Sequence, residues 1–271
     1  MTYMGKFDGV LLCTDFDDTF CCPGQDIPPA NLEAVEYFKS QGGRFTVVTG
    51  RAPHAFASVM PLVPVNAPVI LSNGAHLYDT VTGQSVLRIT LPPVVAEDLE
   101  TILEKFPSVS VEAYHEEAVY GWNLNKWSKW HMDTIQVEAV ELPVAQMPQP
   151  WDKAMLEQDY ELLIPARDYI LEHWGDRYEA VFSNQHMLEI TAKGCSKGGM
   201  VLELAKRLGI QREHIYCVGD NQNDIPMLAV AATAFAPANC VPEVRAWGAR
   251  ILPACAEGTI AALIRLLDEK Y

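Results

Sequence analysis

Asp15 and Asp17 stand two positions apart, just after the apolar run 10–13. Side chains two positions apart on an extended strand project to the same side, so both carboxylates can face one ligand, such as a divalent cation. The pair can also share a phosphoryl transfer, with one carboxylate as covalent nucleophile and the other as general acid and base. An acidic turn without catalytic function is the alternative, and this segment alone does not decide between them.

Two other segments carry groups that suit a phosphate. Thr49-Gly50-Arg51 follows the apolar run 45–48, and a hydroxyl and backbone N–H groups at the start of a helix can bind an anion there. Lys197 stands at the front of a predicted helix, where the helix dipole disfavours a cation unless an anion compensates it. The alternatives are that Thr49 caps a helix and that Lys197 is a solvated surface residue.

The segment 219–224 is the most informative partner for the acidic pair. It places Asp220 at the end of an apolar run and Asp224 four residues later, with Asn223 between them. Carboxylate and amide oxygens are the ligands that hard cations prefer. The segment therefore predicts part of a metal site, and an Asx-rich turn is the alternative.

The polar clusters follow short apolar runs, and these runs determine the predicted fold class. The runs are 10–13, 45–48, 69–71 and 215–218. Their nearly continuous apolar character is typical of parallel strands covered on both faces, and helical periodicity lies between them. The chain is therefore predicted to be α/β, with a Rossmann-like parallel-sheet core. Ligands bind outside the carboxyl ends of such strands, so we expect the polar clusters to converge.

The pattern changes between residues 85 and 186. Strands predicted at 85–91 and 109–124, and helices at 94–106 and after Asp159, favour an antiparallel sheet with helices on one face. The run 215–218 then resumes the first pattern. We therefore predict an α+β cap at 85–186, inserted into a core formed by residues 1–84 and 187–271.

Composition limits the partners. The 271 residues carry a formal net charge of −15, which opposes binding to nucleic acid or to an anionic membrane surface. There is no apolar run of 18 residues, and the N-terminus lacks the features of a signal peptide, so we expect a cytoplasmic protein. The 7 cysteines show no C-x-x-C pair and predict neither a disulfide framework nor a structural metal site. Cys21 and Cys22 are expected to be loop or packing residues, with redox sensitivity as the alternative.

Four motifs follow one another along the chain: D-x-D-x-T at 15–19, T-G-R at 49–51, Lys197, and G-D-N-x-N-D at 219–224. Their types and their order resemble those of the haloacid dehalogenase superfamily. Segments 72–75, 188–198 and 219–228 are similar to those of Cof-type phosphatases, which carry a large α/β cap of the C2B-like kind. The resemblance covers essentially the whole core, whereas the cap matches only in size and position. The combination of motifs is specific, although no single motif is.

The resemblance implies a Mg²⁺-dependent phosphatase that hydrolyses a small organic phosphate ester, such as a sugar phosphate or a phosphorylated cofactor, through an aspartyl-phosphate. It implies Asp15 as nucleophile and Asp17 as acid to the leaving oxygen and then base to water. Mg²⁺ would offset the repulsion between carboxylate and phosphate. The metal-site residues implied are Asp15, the Asp17 backbone carbonyl and Asp220, with Asn223 and Asp224 completing or orienting the shell.

The same resemblance implies how the phosphate is held. Thr49 and Lys197 would bind its oxygens, and the substrate-side residues implied are Gly50, Arg51, Asn73 and Asn239. Two features depart from the family pattern. Asp18 stands where glycine is common, and Ala-Pro-Ala-Asn at 236–239 replaces a stretch that usually contains glycine.

Three functional questions stay open at this stage. A phosphomutase would use the same aspartyl-phosphate, and a phosphometabolite-binding protein would keep the fold without turnover. The aromatic residues between 114 and 130 could stack on a sugar, form the core of the cap or form a subunit contact. Oligomeric state is not decided by the sequence.

Overall fold

The computed structural model describes residues 5–24 and 27–271. In chain order the strands are β1 (Leu11–Thr14), β2 (Arg44–Val47), β3 (Val69–Leu71), β4 (His76–Asp79), β5 (Gln84–Arg88), β6 (Ser110–His115), β7 (Ala118–Trp122), β8 (Val140–Glu141), β9 (Lys153–Glu157), β10 (Tyr178–Asn184), β11 (Met187–Ala192), β12 (Ile215–Val218), β13 (Thr233–Pro237) and β14 (Arg250–Leu252). The α-helices are α1 (Pro29–Ser40), α2 (Pro53–Ala57), α3 (Val95–Lys105), α4 (Lys126–Ile135), α5 (Tyr160–Trp174), α6 (Lys197–Leu208), α7 (Ile225–Val230), α8 (Pro242–Trp247) and α9 (Thr259–Lys270).

The central sheet is parallel, as predicted, with strand order β14-β13-β12-β1-β2. Both faces of β1 are buried. Leu12 packs in the cluster that includes α1 and α9, whereas Leu11 and Cys13 pack in the cluster that includes α6 and α7. Because alternate side chains of a strand enter two separate cores, β1 has no polar face. The predicted α/β class is confirmed.

The predicted parallel strand at 69–71 is only partly correct. β3 forms a three-stranded antiparallel sheet with β4 and β5, and a single bridge between Val48 and Ile70 joins it in parallel to the core. The chain reverses at Asn73 and Gly74, both of which have positive φ, so β3 pairs with the strand that directly follows it. A three-residue apolar run contains no signal that separates these two pairings.

The inserted region forms a six-stranded sheet with order β10-β11-β9-β6-β7-β8. Helices α3 and α5 cover one face, where Trp151 and Leu156 lie in the cap core. The predicted antiparallel sheet is found, except that β8 runs parallel to β7, whereas the prediction that helices cover only one face is wrong. Helix α4 contacts the opposite face through His131.

Backbone hydrogen bonds show where the chain leaves the core. The Ile89 N–H donates to the Ala75 carbonyl at 2.8 Å, whereas the Leu91 N–H donates to the Trp151 carbonyl at 2.8 Å. β11 belongs to the six-stranded sheet, although the predicted boundary places residue 187 onward in the core. A strand's domain depends on its partners, which the chain order does not reveal. We therefore propose that the cap spans about residues 90–194.

A buried ion pair connects the cap to the three-stranded sheet. Asp152 accepts hydrogen bonds from Arg88 at 2.6 and 3.2 Å, and His76 Nε2 lies 3.1 Å from the same carboxylate. Burial raises the pKa of Asp152, but the contacts with His76 and Arg88 outweigh it, so this pKa lies below its ordinary value. The charged carboxylate therefore stabilises the junction between core and cap.

The structure corrects the expectation that Cys22 is a loop or packing residue, because a disulfide joins Cys22 to Cys255, although the sequence indicated no disulfide framework. The two residues are 233 positions apart, so no local spacing indicates the pair. None of the helices in the described ranges has the length and apolarity of a membrane span. Residues 1–4, on which the signal-peptide expectation partly rests, lie outside the described residues.

Candidate active site

The polar clusters converge, as predicted, where β1 and β12 end side by side. Thr14 pairs with Val218, and the Asp15 N–H donates to the Val218 carbonyl at 2.9 Å. This register brings Asp15 and Asp220 to the same edge of the sheet. Parallel strands thus place carboxylates from distant parts of the chain within reach of one ligand.

Lys197 lies between two of these carboxylates. Its Nζ is 2.5 Å from Asp15 Oδ1 and 2.6 Å from Asp224 Oδ1, and its side chain is 1% exposed. Ser196 caps α6 by accepting from the Gly199 N–H. A Cβ at Gly198 would collide with the Pro226 carbonyl, so glycine allows α6 to approach α7 closely. This close approach carries Lys197 into the site.

Three buried carboxylates surround one position. Oxygens of Asp15, Asp220 and Asp224 lie within 4.8 Å of one another. Asp224 Oδ2 accepts from the Asp220 N–H at 2.9 Å, and Asp220 Oδ1 accepts from the Thr19 hydroxyl at 3.1 Å. When ionised, the three carry three negative charges against the single positive charge of Lys197. This all-oxygen set therefore fits a divalent cation.

Burial and mutual repulsion shift the pKa values of these groups. Burial raises the pKa of Asp15 well above its ordinary value, although attraction to Lys197 opposes the shift. Burial and the charge of Asp224 raise the pKa of Asp220 to about 7. Burial lowers the pKa of Lys197, but Asp15 and Asp224 outweigh it and raise that pKa above its ordinary value. The cluster is thus short of positive charge.

Asp17 does not join this carboxylate cluster. β1 ends at Thr14, and Asp18 has a φ of 58°, so Asp15 and Asp17 do not lie on one extended strand. Arg51 instead donates to Asp17 through Nε at 2.9 Å and through a terminal nitrogen at 2.6 Å. The extended-strand argument therefore does not apply to Asp17, but the charge of Asp17 still contributes to the raised pKa of Asp15, and a ligand shared by the two residues stays a prediction.

The predicted phosphate-side groups lie at the ends of β2 and β3. Thr49 is buried, and its Oγ1 accepts from the Arg51 N–H at 3.1 Å. Asn73 has a φ of 53°, and its Oδ1 accepts from Asn223 Nδ2 at 3.1 Å. Asn73 Nδ2 is buried and has no hydrogen-bond partner among the described residues. It is therefore a donor available to a ligand.

Asn239 lies at the surface and connects two loops. Its Nδ2 donates to the Asp18 carbonyl at 2.8 Å, and its Oδ1 accepts from the Cys255 N–H at 2.9 Å. Both ends of the amide thus support the segment that follows the predicted nucleophile. A direct contact of Asn239 with phosphate stays a prediction.

The cap contributes groups that the sequence reasoning missed. Lys153 Nζ donates to Glu189 Oε2 at 2.7 Å and to the Gly50 carbonyl at 3.0 Å, and it lies 4.6 Å from the centre of the Tyr114 ring. His54 stacks on Tyr114, and burial together with the charge of Lys153 lowers its pKa. The sequence did contain a signal for two of these residues. Lys153 and Glu189 are charged, yet each adjoins apolar residues of a strand that is buried.

Core and cap approach each other closely at Gly50. A Cβ at this position would lie 3.0 Å from Glu189 Oε1 and 3.3 Å from Asn73 Nδ2. The side-chain-free residue therefore lets the cap rest directly on the segment 49–51. Tyr114, one of the aromatic residues between 114 and 130, is buried and packs in one cluster with Ala52.

Comparison with known proteins identifies the family of this chain. A family model for haloacid dehalogenase-like hydrolases matches residues 12–264. The chain belongs to this family. The match confirms the resemblance inferred from the motifs. It also confirms the prediction that the chain is an enzyme, because the family consists of hydrolases.

Two relatives and one solved structure illustrate the similarity. A Streptococcus pyogenes serotype M6 protein, whose name provisionally makes it a phosphatase, is 29% identical over 247 residues, covering 87% of this chain and 89% of that protein. Pyridoxal phosphate phosphatase YbhA of Escherichia coli K12 is 24% identical, covering 87% and 90%. A structure described as a subclass IIB sugar phosphatase of the superfamily has a TM-score of 0.83 at 20% identity, covering 96% and 99%. That structural likeness shows the shared fold.

Proposed function

We propose that this hydrolase is a Mg²⁺-dependent phosphatase that cleaves small organic phosphate monoesters through an aspartyl-phosphate on Asp15. The observation that carries the proposal is the buried cluster of Lys197 with Asp15 and Asp224. A lysine placed against a buried carboxylate supplies positive charge where a phosphate dianion must approach that carboxylate. The names of the relatives, among them a pyridoxal phosphate phosphatase, support the same chemistry.

Asp15, Asp220 and Asp224 would hold the cation, together with the Asp17 carbonyl and Asn223. When bound, Mg²⁺ would neutralise charge on the phosphate and the carboxylates. Asp15 attacks phosphorus, and the bond to the leaving oxygen breaks. Lys197, Thr49 and Asn73 Nδ2 orient the phosphoryl oxygens, so that this attack occurs in line.

Asp17 is proposed to move the proton. It would protonate the leaving oxygen in the first step and take a proton from the attacking water in the second, which releases phosphate and restores Asp15. Arg51 fixes the Asp17 carboxylate through two hydrogen bonds, and its side chain is partly exposed. Its planar guanidinium also suits a phosphate oxygen, so we propose that Arg51 helps to bind the substrate.

The position of the cap supports a small substrate. Lys153 reaches across to the Gly50 carbonyl, and Tyr114 packs against Ala52, so the cap lies directly over the segment that binds phosphate. The proposed substrates are therefore sugar phosphates or phosphorylated cofactors rather than phosphoproteins. Lys153 and Tyr114 are the groups that the part of the substrate beyond the phosphate would meet.

The test is phosphate release from a panel of sugar phosphates, phosphorylated cofactors and nucleotides, with Mg²⁺ or EDTA. We expect Mg²⁺-dependent release by the wild type and a loss of several orders of magnitude in Asp15→Asn. Asp133→Asn, an exposed residue of α4, is the matched control and should keep full activity. Metal-independent release, or an active Asp15→Asn variant, would contradict the proposal. Conversion of a substrate to a phosphorylated isomer without free phosphate would instead indicate a mutase.

A further inference from the structure

The cap carries a second group of ionisable side chains that the proposed chemistry does not use. Glu112 on β6 and Glu157 on β9 are fully buried, and His131 projects toward them from α4. Glu112 pairs with Met155 in the sheet register, so Glu112 and Glu157 are diagonal neighbours on one face. That face is opposite to the one covered by α3 and α5, whose core contains Leu156.

The three side chains point at one position. His131 Nδ1 lies 3.0 Å from Glu112 Oε2 and 3.5 Å from Glu157 Oε1, and one ligand atom from each residue falls within 4.8 Å of the others. Ligand atoms at the corners of a tetrahedron with metal bonds of about 2.0–2.1 Å are roughly 3.3 Å apart. The 3.0 Å contact is a hydrogen bond in this structure, and both nitrogen–oxygen separations are also close to those around a coordinated ion.

Glu157 supplies an independent observation. Its carboxylate is completely buried, its Oε1 forms an ion pair with His131 at 3.5 Å, and neither oxygen accepts a hydrogen bond of ordinary geometry among the described residues. A buried carboxylate without hydrogen bonds is costly, so such a group needs an explanation. The lysine on the same strand, Lys153, is engaged by Glu189 and the Gly50 carbonyl instead.

From this geometry we propose that Glu112, His131 and Glu157 form a second divalent-cation site in the cap. One imidazole nitrogen and two carboxylates favour a transition-metal ion of the Zn²⁺ or Co²⁺ kind over Mg²⁺, which prefers oxygen ligands alone. The Tyr114 hydroxyl donates to Glu112 Oε2 at 2.9 Å and so orients one ligand from outside. The imidazole of His131 is 13% exposed, which leaves a route for the ion from solvent.

This site is separate from the catalytic carboxylates. Lys153 and Glu157 lie on the same face of β9, four residues apart, which is about 13 Å along a strand. An ion there would join α4 to β6 and β9 without contacting the phosphoryl group. Its expected effect is to stabilise the face of the cap that lies over the core, because a ligand that binds only the folded state raises its stability.

The experiment titrates Co²⁺ into the full-length protein in the presence of excess Mg²⁺, which occupies the catalytic centre. The visible absorption of Co²⁺ reports its coordination, and thermal unfolding reports stabilisation. We expect one Co²⁺ bound per chain and a higher unfolding temperature. Glu157→Gln, a nearly isosteric change, should weaken Co²⁺ binding by more than about 10-fold, and His131→Ala should do the same. His173→Ala, on the exposed side of α5, is the matched control.

The proposal is overturned if the wild type binds no Co²⁺ under excess Mg²⁺, because the cluster then holds protons only. It is also overturned if both cap variants bind Co²⁺ as the wild type does, or if binding is lost in Asp220→Asn but retained in the cap variants. If Glu157→Gln fails to fold, Co²⁺ binding by His131→Ala decides the test. This variant changes a partly exposed helix residue, so we expect it to fold. Phosphate release is measured separately and does not enter this test.

Discussion

Replacing Lys197 with methionine removes the cation of the buried cluster while it keeps most of the side-chain volume. Lys197 Nζ lies 2.5 Å from Asp15 Oδ1 and 2.6 Å from Asp224 Oδ1. At an effective dielectric constant of about 20, each contact provides about 6 kcal/mol of Coulomb attraction. The desolvation of the charged groups offsets most of this attraction. Removal of one partner from a buried pair therefore costs about 3–5 kcal/mol, which is the loss of unfolding free energy that we expect without metal.

The pH at which this loss is measured matters. Burial lowers the pKa of Lys197, but Asp15 and Asp224 raise it above the ordinary lysine value of 10.5. The folded protein therefore binds this proton more tightly than the unfolded chain does, and the resulting stabilisation is fully present below that ordinary value. It is lost only as the pH rises above it, through the raised pKa of the folded state. Near neutral pH, the variant should show the whole effect.

The assay is urea unfolding followed by tryptophan fluorescence, in EDTA and in Mg²⁺. We expect Mg²⁺ to recover part of the lost stability, because the cation restores positive charge beside Asp15. The double variant Lys197→Met/Asp224→Asn, with one carboxylate fewer, should be more stable in EDTA than the single variant. Lys206→Met, an exposed residue of the same helix, is the control and should change stability by less than about 0.5 kcal/mol.

Two results would refute this reasoning. A loss below about 1 kcal/mol in EDTA would mean that the pair behaves like a solvated surface ion pair. A double variant no more stable than Lys197→Met would mean that repulsion among the remaining carboxylates is not the source of the loss. In either case, Lys197 would not be the group that makes the buried carboxylates tolerable.

Three further predictions follow from particular contacts. Asp18→Gly should raise the unfolding free energy by about 1 kcal/mol in urea titrations, because Asp18 has a φ of 58°; an unchanged midpoint would show that the turn is unstrained. Gly50→Ala should lower kcat by about 10²-fold with little change in stability, since its Cβ would lie 3.0 Å from Glu189 Oε1; wild-type kcat would contradict this. The pKa of Asp152 is lowered in the fold, so its contribution is present above pH 3.8 and lost as the pH falls through the folded-state pKa. Urea unfolding at a series of acidic pH values should show a shallower decline for Asp152→Asn, and parallel curves would exclude this role.

Much of the core was predictable because local patterns and strand topology determine it. The run 10–13 is apolar at every position since both faces of β1 are covered, and this burial is visible as uninterrupted hydrophobicity up to Thr14. Helix α6 begins after Ser196 and ends at Gly209, which has a φ of 69°, and both signals are local. Asp15 and Asp220 could be expected to meet because parallel strands end at one edge of the sheet.

The sequence by itself determined the α/β class, the order of the motifs and the residue types of the site, since each depends on neighbours along the chain. Tertiary structure alone decided the contacts between distant segments: the hydrogen bonds of Arg51 to Asp17, the place of β11 in the cap sheet, and the proximity of Glu112 to Glu157. These contacts depend on strand register and on how separate elements pack, and a shift of one residue in register turns every side chain to the other face. No local pattern contains that information.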